Sequence, residues 1–174
     1  LLPVDTRKFK KILVTGPNAN NQSIMGDWVF EQPEKNVSTI LEGIKEEASG
    51  TQINYEDVGW NMRALDSAKI EEAIQTAKSS DLAIVIVGED SFRQHWKEKT
   101  CGENRDRMDI TLWGKQDYLV ESIYKTGVPT IVILINGRPL ATRWIAENIP
   151  AVIEAWEPGS MGGKAIAEIL FGKV

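Results

Sequence analysis

The sequence predicts an α/β domain, a layered α/β/α sandwich around a mostly parallel sheet of five or six strands. Five short runs rich in Ile and Val recur along the chain, and helical periodicity fills the gaps between them. Alternation of this kind specifies layered architecture with right-handed crossovers. Two of the runs, Leu82–Val87 and Thr130–Ile135, are apolar at successive positions. A strand apolar at every position is buried on both faces, as in a parallel sheet covered by helices.

The elements follow in order. The first strand is expected at Lys11–Thr15, where β-branched and aliphatic residues succeed a basic entry. Val37, Ile40, Leu41, Ile44 and Ala48 then share one face of a helix. A second strand is expected at Gln52–Tyr55. Ile70, Ala73, Ile74 and Ala77 repeat the helical spacing, with Asp66 or Ser67 placed to cap the N-terminus. The third strand is Leu82–Val87. A stretch without periodicity, Asp90 to Trp113, precedes a helix around Tyr118, Leu119, Ser122 and Ile123, which Gly127 and Pro129 end. Loops of that length in compact domains are usually functional or disordered. The fourth strand is Thr130–Ile135, followed by a short helix at Thr142–Glu147 and a fifth strand at Ala151–Ala155. A last helix carries Ala165, Ile166, Ile169 and Leu170 and ends at Gly172.

At 174 residues the chain fits one domain, 1–174, with a core large enough to be stable alone. A net charge of −5 argues against a nucleic-acid partner. The only cysteine is Cys101 and the only histidine is His95, so neither an internal disulfide nor a Cys- or His-based zinc site is expected. No metal and no cofactor are called for. A dinucleotide fingerprint needs three spaced glycines after the first strand, and Gly16-Pro17-Asn18-Ala19-Asn20-Asn21 has one. A phosphate-binding Gly-Lys-Ser/Thr is also missing. Apolar runs fall far below the roughly 18 residues that would span a membrane. The chain opens at Leu1-Leu2-Pro3-Val4 and closes at Gly172-Lys173-Val174, and it reads as a segment of something longer.

Every strand of a parallel sheet ends at the same edge, where ligands bind. The segments that leave that edge therefore enumerate the candidate site: Gly16–Asn21, Glu56-Asp57, Gly88-Glu89-Asp90, Asn136-Gly137-Arg138-Pro139 and Trp156-Glu157-Pro158-Gly159. The run Gly102-Glu103-Asn104-Arg105-Asp106-Arg107 concentrates charge in the long loop, with Trp96 and Trp113 on either side. Carboxylates beside indole rings suit a carbohydrate, which offers hydroxyls to polar groups and a C–H face to an aromatic ring. Ordinary packing competes with ligand contact for each loop tryptophan, Trp28 and Trp60 included.

Several of these segments together resemble the C-terminal α/β sandwich domain of glycoside hydrolase family 3, most nearly its β-glucosidase-type members. They are Leu2-Pro3-Val4, Lys11 to Ala19 with Gly26-Asp27-Trp28, Val87-Gly88-Glu89, Gly102-Glu103 to Asp106-Arg107, and Asp109-Ile110-Thr111-Leu112. Asn136-Gly137-Arg138-Pro139-Leu140, Ala155-Trp156-Glu157-Pro158-Gly159 and Gly162-Gly163-Lys164-Ala165 complete the ordered set.

The resemblance implies a part of a retaining exo-acting β-glycosidase, a β-glucosidase in particular. An Asp nucleophile would lie in a preceding barrel domain outside this chain. The general acid/base would come from the loop after the third strand, at Glu103 or, as runner-up, Glu98. Glu89, Trp96, Arg107 and Trp28 are the expected substrate-binding residues. The expected partners are a β-linked oligosaccharide or aryl glucoside and the barrel of the same polypeptide, in a periplasmic or secreted setting. The alternative is a docking or sugar-binding domain that donates no catalytic group. A general acid must hold its proton near neutral pH. Trp96 and Trp113 are therefore expected to desolvate it, and Arg105 and Arg107 to pair with Asp106, Asp109 or the neighbouring domain.

Overall fold

The computed structural model describes residues 1–174. Five strands form one sheet: β1 (Lys11–Thr15), β2 (Gln52–Glu56), β3 (Leu82–Gly88), β4 (Thr130–Ile135) and β5 (Ala151–Glu154). All neighbours pair parallel, in the order β2-β1-β3-β4-β5. Helices α1 (Ile40–Glu47), α2 (Ser67–Lys78), α3 (Gln116–Lys125), α4 (Arg143–Asn148) and α5 (Gly162–Leu170) connect or follow them.

The central strands are hydrophobic on both sides because both sides are covered. Ile12 and Val14 of β1, Leu82, Ile84 and Ile86 of β3, and Ile131, Ile133 and Ile135 of β4 point to one face. There they meet Ile40 and Ile44 of α1 and Ile166 and Leu170 of α5. Leu13, Val85, Val87, Val132 and Leu134 point to the other face, against α2, α3 and Ile145 of α4. Each such aliphatic side chain, fully buried, contributes ~1.5–3 kcal/mol relative to exposure. The edge strand β5 alternates half-buried and exposed residues, as a strand with one open flank should.

Helix starts follow local chemistry. Thr39 caps α1 with a reciprocal pair, its hydroxyl accepting from the Glu42 N–H while the Glu42 carboxylate accepts from the Thr39 N–H. Val37 is buried but precedes the helix. Asp66 caps α2. Helix α5 begins earlier than its apolar stripe suggests, at Gly162, because two glycines let it approach α1. A β-carbon at Gly163 would lie 1.9 Å from the Thr39 carbonyl oxygen, and one at Gly43 would lie 2.1 Å from the Gly163 carbonyl oxygen. Only hydrogens fit at that crossing.

The chain steps outward from β1 to β2, then returns past β1 to β3 and continues to β4 and β5. The winding reverses between β1 and β3, so the loops after these two strands diverge and leave a crevice at the carboxyl edge. The stretch from Asp90 to Trp113 rises from this point, and a 3₁₀ turn at Arg93–His95 is its only regular element.

Candidate active site

The end of β3 is a rigid mount. The Gln116 side chain reads both polar groups of Gly88, accepting its N–H at 2.7 Å and donating to its carbonyl at 3.0 Å. The next residue, Glu89, donates its N–H to the Ile135 carbonyl at 2.7 Å. Its carbonyl accepts from the Asn18 amide of the β1 loop at 3.0 Å. The loops after β1, β3 and β4 are thereby stitched together at the switch point.

Glu103 projects from the long loop. Gly102 (φ 86°) and Asn104 (φ 59°) flank it in the left-handed region, so the chain turns sharply at this residue. The Glu103 N–H donates to Asp27 Oδ2 at 2.6 Å, and Arg93 donates to its carboxylate at 2.8 Å. Its side chain remains 43% exposed. Glu98 is half-buried in the turn that follows the 3₁₀ segment, its N–H bonded to the His95 carbonyl at 2.9 Å.

Asp27 is the node under this loop. Both of its oxygens accept from Lys99 Nζ at 3.0 Å, and Arg93 Nε lies 3.6 Å away. Lys99 is fully buried. Burial alone would raise the Asp27 pKa, but the Glu103 N–H, the Lys99 ammonium and Arg93 together hold it below the usual 3.8. Gly102 is required here, since a β-carbon would lie 2.6 Å from Asp27 Oδ2.

Cations and indoles interleave above the node. The Arg93 guanidinium lies 3.8 Å from the Trp28 ring centre and 5.4 Å from that of Trp96. Lys99 and Arg105 approach Trp96 at 4.5 and 5.3 Å. Trp28 is 75% exposed and presents its ring to solvent. Trp113 meets a different pair of cations, Arg63 at 3.8 Å and Arg107 at 4.9 Å from its ring centre.

The structure adds to the surroundings expected for Glu103. Trp113 is engaged by Arg63 and Arg107, and a guanidinium that sequence reasoning passed over, Arg93, holds the Glu103 carboxylate. Arg107 does not pair with Asp106. It turns inward to Glu89 at 3.6 Å and donates to the Thr111 carbonyl. Arg105 donates to the carbonyls of Asn104 and Trp96. Arg105 is met by the loop's own carbonyls, and Arg107 by the Thr111 carbonyl with the buried Glu89 charge beside it, although Arg107 is still near enough to Asp109, one of its expected partners, to help lower the Asp109 pKa.

Glu89 is closed off from solvent. Its carboxylate has 0% exposure, with Arg138 Nε at 3.3 Å and Arg107 on the other side. Arg138 is within hydrogen-bond distance but out of line, so neither oxygen has a well-directed bond. Desolvation raises its pKa above the ordinary carboxylate value, and the two arginines only partly offset this. The buried Cys101 thiol is pushed up as well, by burial and then by the Glu89 charge.

Beside this centre, a cleft of about 280 Å3 opens between the loops after β1 and β2, with Trp60, Tyr55, His95 and Asn20 among its walls. His95 stacks on Trp60 at 4.0 Å and meets Asp90 Oδ2 through Nδ1 at 2.6 Å. A larger cleft of about 420 Å3 lies near α1 and α5 and includes none of these residues. Trp156, a bulky residue in the left-handed region (φ 54°), extends the aromatic rim from the β5 loop. No group of three or more His, Cys, Asp or Glu side chains is placed to hold a metal ion. No helix is long and apolar enough to cross a membrane.

Fold and edge together define a doubly wound α/β sandwich domain whose carboxyl edge carries carboxylates, guanidiniums and exposed indoles. Residues 1–174 match the family model for the glycosyl hydrolase family 3 C-terminal domain, and the chain belongs to that family. It is 40% identical over its full length to a β-xylosidase of Formosa agariphila, covering 24% of that protein. A periplasmic β-glucosidase of Salmonella typhimurium is 32% identical over 95% of the chain, again with 24% of the relative covered. The chain thus spans about a quarter of the length of these relatives. Among solved structures, a β-glucosidase of Listeria innocua in complex with isofagomine superposes with a TM-score of 0.84 at 26% identity. That match covers 100% of this chain and 22% of the other. A family 3 exo-β-xylosidase in complex with a xylobiose aziridine probe gives 0.83 at 28% identity, over 99% and 21%.

Proposed function

We propose that this chain completes the active site of a retaining exo-β-glycosidase and supplies its general acid/base, Glu103. In this reading residues 1–174 form one domain of a longer polypeptide, and a barrel domain elsewhere in it carries an Asp nucleophile. The substrates are β-linked oligosaccharides or aryl glycosides of glucose or xylose. Relatives named as β-xylosidases and β-glucosidases support both sugars. A periplasmic relative supports a periplasmic or secreted location.

One observation carries the reading. Glu103 is an exposed carboxylate at a sharp turn of the loop that leaves β3, with its backbone pinned to Asp27 and its side chain tied only to Arg93. Retention needs one carboxyl group to protonate the leaving oxygen while a second, about 5 Å away, attacks the anomeric carbon. The first group then takes a proton from water in the second half-reaction. A backbone pinned at its N–H, with a single ion pair at the carboxylate, suits a group that must meet the sugar without losing its place. Arg93 holds the Glu103 carboxylate at 2.8 Å, so sugar binding must part the two before that carboxyl group can meet the leaving oxygen. Trp28 and Trp96 offer ring faces to the sugar on the same side, and Trp28 is exposed enough to do so.

The ion pair to Arg93 also favours a second reading, in which Glu103 only braces the loop and the domain docks or binds sugar without chemistry. Glu103→Ala and Glu98→Ala in the full-length enzyme separate the two. Loss of turnover in Glu103→Ala, restored by azide on an activated aryl glycoside, supports the acid/base. Full activity in Glu103→Ala overturns it.

A further inference from the structure

We propose that Glu89 is a positioning residue that holds the acid-bearing loop through Arg107 and Arg138. The proposal rests on the reading of Glu103 as the acid. Glu89 stands on the most rigid backbone of the edge, bonded on one side to β4 through Ile135 and on the other to the β1 loop through Asn18. Its carboxylate touches no solvent and faces two guanidiniums at 3.3 and 3.6 Å.

Each guanidinium passes the constraint on. Arg138 donates to the Arg105 carbonyl at 2.6 Å. Arg107 donates to the Thr111 carbonyl. The loop is thus gripped at Arg105, Arg107 and Thr111, immediately after the turn that presents Glu103. Asp27 grips the other side of that turn through the Glu103 N–H.

A buried charge with no well-directed hydrogen bond of its own is a poor stabiliser. Its cost is understandable if what it secures is the placement of cations whose other donors fix a loop. Without the charge, Arg107 and Arg138 would keep only their bonds to the Thr111 and Arg105 carbonyls, and the loop between Glu103 and Thr111 would lose the fixed point that the two share. A displacement of about 1 Å at a catalytic group can lower a rate by about 100-fold.

The test uses the full-length enzyme and two series of aryl β-glycosides, glucosides and xylosides, graded by leaving-group acidity. Glu103→Ala is the reference. Glu89→Gln keeps the shape and removes the charge. The expected result is a fall of ~10–100-fold in kcat/KM for poor leaving groups, which need the acid, and a much smaller fall for 2,4-dinitrophenyl glycosides, which do not. Arg138→Gln, at a part-exposed side chain, should show the same dependence in weaker form. It stands in if Glu89→Gln fails to fold.

A purely structural role would lower all substrates alike with the fraction of folded enzyme. Direct substrate contact by Glu89 would raise KM across the series. Either outcome overturns the proposal. If Glu103→Ala itself shows no leaving-group dependence, the assignment of the acid fails. If Glu103→Ala shows it and the Glu89 and Arg138 variants do not, only the positioning role fails.

Discussion

Two carboxylates brace the same loop from opposite sides, and they are held in opposite ways. Asp27 accepts three close hydrogen bonds, two from Lys99 and one from the Glu103 N–H, and its pKa lies below the usual value. Glu89 has two cations and the Cys101 thiol near it but no well-directed hydrogen bond, and its pKa lies above. Both face positive charge, but the Glu89 side chain has 0% exposure and that of Asp27 has 10%. Desolvation prevails at Glu89, whereas at Asp27 close hydrogen bonds to the ionised form replace the water that partial burial removes.

The largest expected effect comes from breaking the Asp27 side. Lys99→Ala removes a fully buried ammonium and leaves Asp27 with most of its charge unmet. Breaking one partner of a buried pair costs about 3–5 kcal/mol. Urea unfolding of the domain at neutral pH should show a loss in that range, with an unchanged m value. A loss below about 1 kcal/mol would mean that Asp27 is served well enough by Arg93 and the loop N–H. Next in size is Gly102→Ala. The new methyl meets Asp27 Oδ2 in a backbone region that L-residues avoid. Overpacking of this kind costs about 1–3 kcal/mol. The variant should also lose turnover in the full-length enzyme, since Glu103 is the next residue.

Much of this architecture is legible in the sequence. The uninterrupted apolar runs of β3 and β4 announce a covered parallel sheet, Asp66 marks the start of α2, and the aperiodic stretch after Asp90 marks the site. The reason is that strand burial and helix amphipathicity repeat within a few residues. Strand order does not repeat in that way. It depends on pairings between segments far apart in the chain, and nothing local in β2 says that it lies at an edge beyond β1. The loop hides its partners for the same reason. Nothing local in Lys97-Glu98-Lys99 distinguishes one lysine from the other, yet Lys99 turns inward to Asp27, a residue in the β1 loop. Arg107 has Asp106 beside it and reaches Glu89 instead. In a segment without periodicity, spacing carries no information on which charges face in. The resemblance singled out Asp27, Glu89, Glu103 and Arg107, but not the lysine and the arginine, Lys99 and Arg93, that make Asp27 and Glu103 what they are.

The contrast sharpens under titration, where the two carboxylates should give slopes of opposite sign. A carboxylate with a depressed folded pKa contributes stability that is present above its unfolded value and lost as pH falls through its folded one. Asp27 is of this kind. Wild type should exceed Asp27→Asn in stability at neutral pH, and the gap should close as pH drops below about 3.8. A carboxylate with a raised folded pKa behaves in reverse. The folded state holds its proton more tightly, so stability falls as pH climbs from the unfolded value, near 4.5, through the folded one. Glu89→Gln should therefore gain on wild type over that rise. Urea unfolding across pH 3 to 7 measures both. Parallel slopes would show that the two sites are held alike.

The smallest effect tests whether the aromatic layer above the node belongs to the brace at all. Trp28 stacks on Arg93, but most of its ring faces solvent. An exposed cation–π contact contributes about 0.5–1 kcal/mol. Trp28→Ala should change the stability of the domain by no more than that, whereas in the full-length enzyme it should raise KM for the aryl glycosides several-fold. A large loss of stability would place Trp28 in the scaffold with Lys99. A negligible loss with a raised KM would separate the layer that meets the sugar from the layer that holds Glu103. The exposed ring makes the second outcome the expected one, because a side chain that buries so little surface against its own domain has little stability to lose.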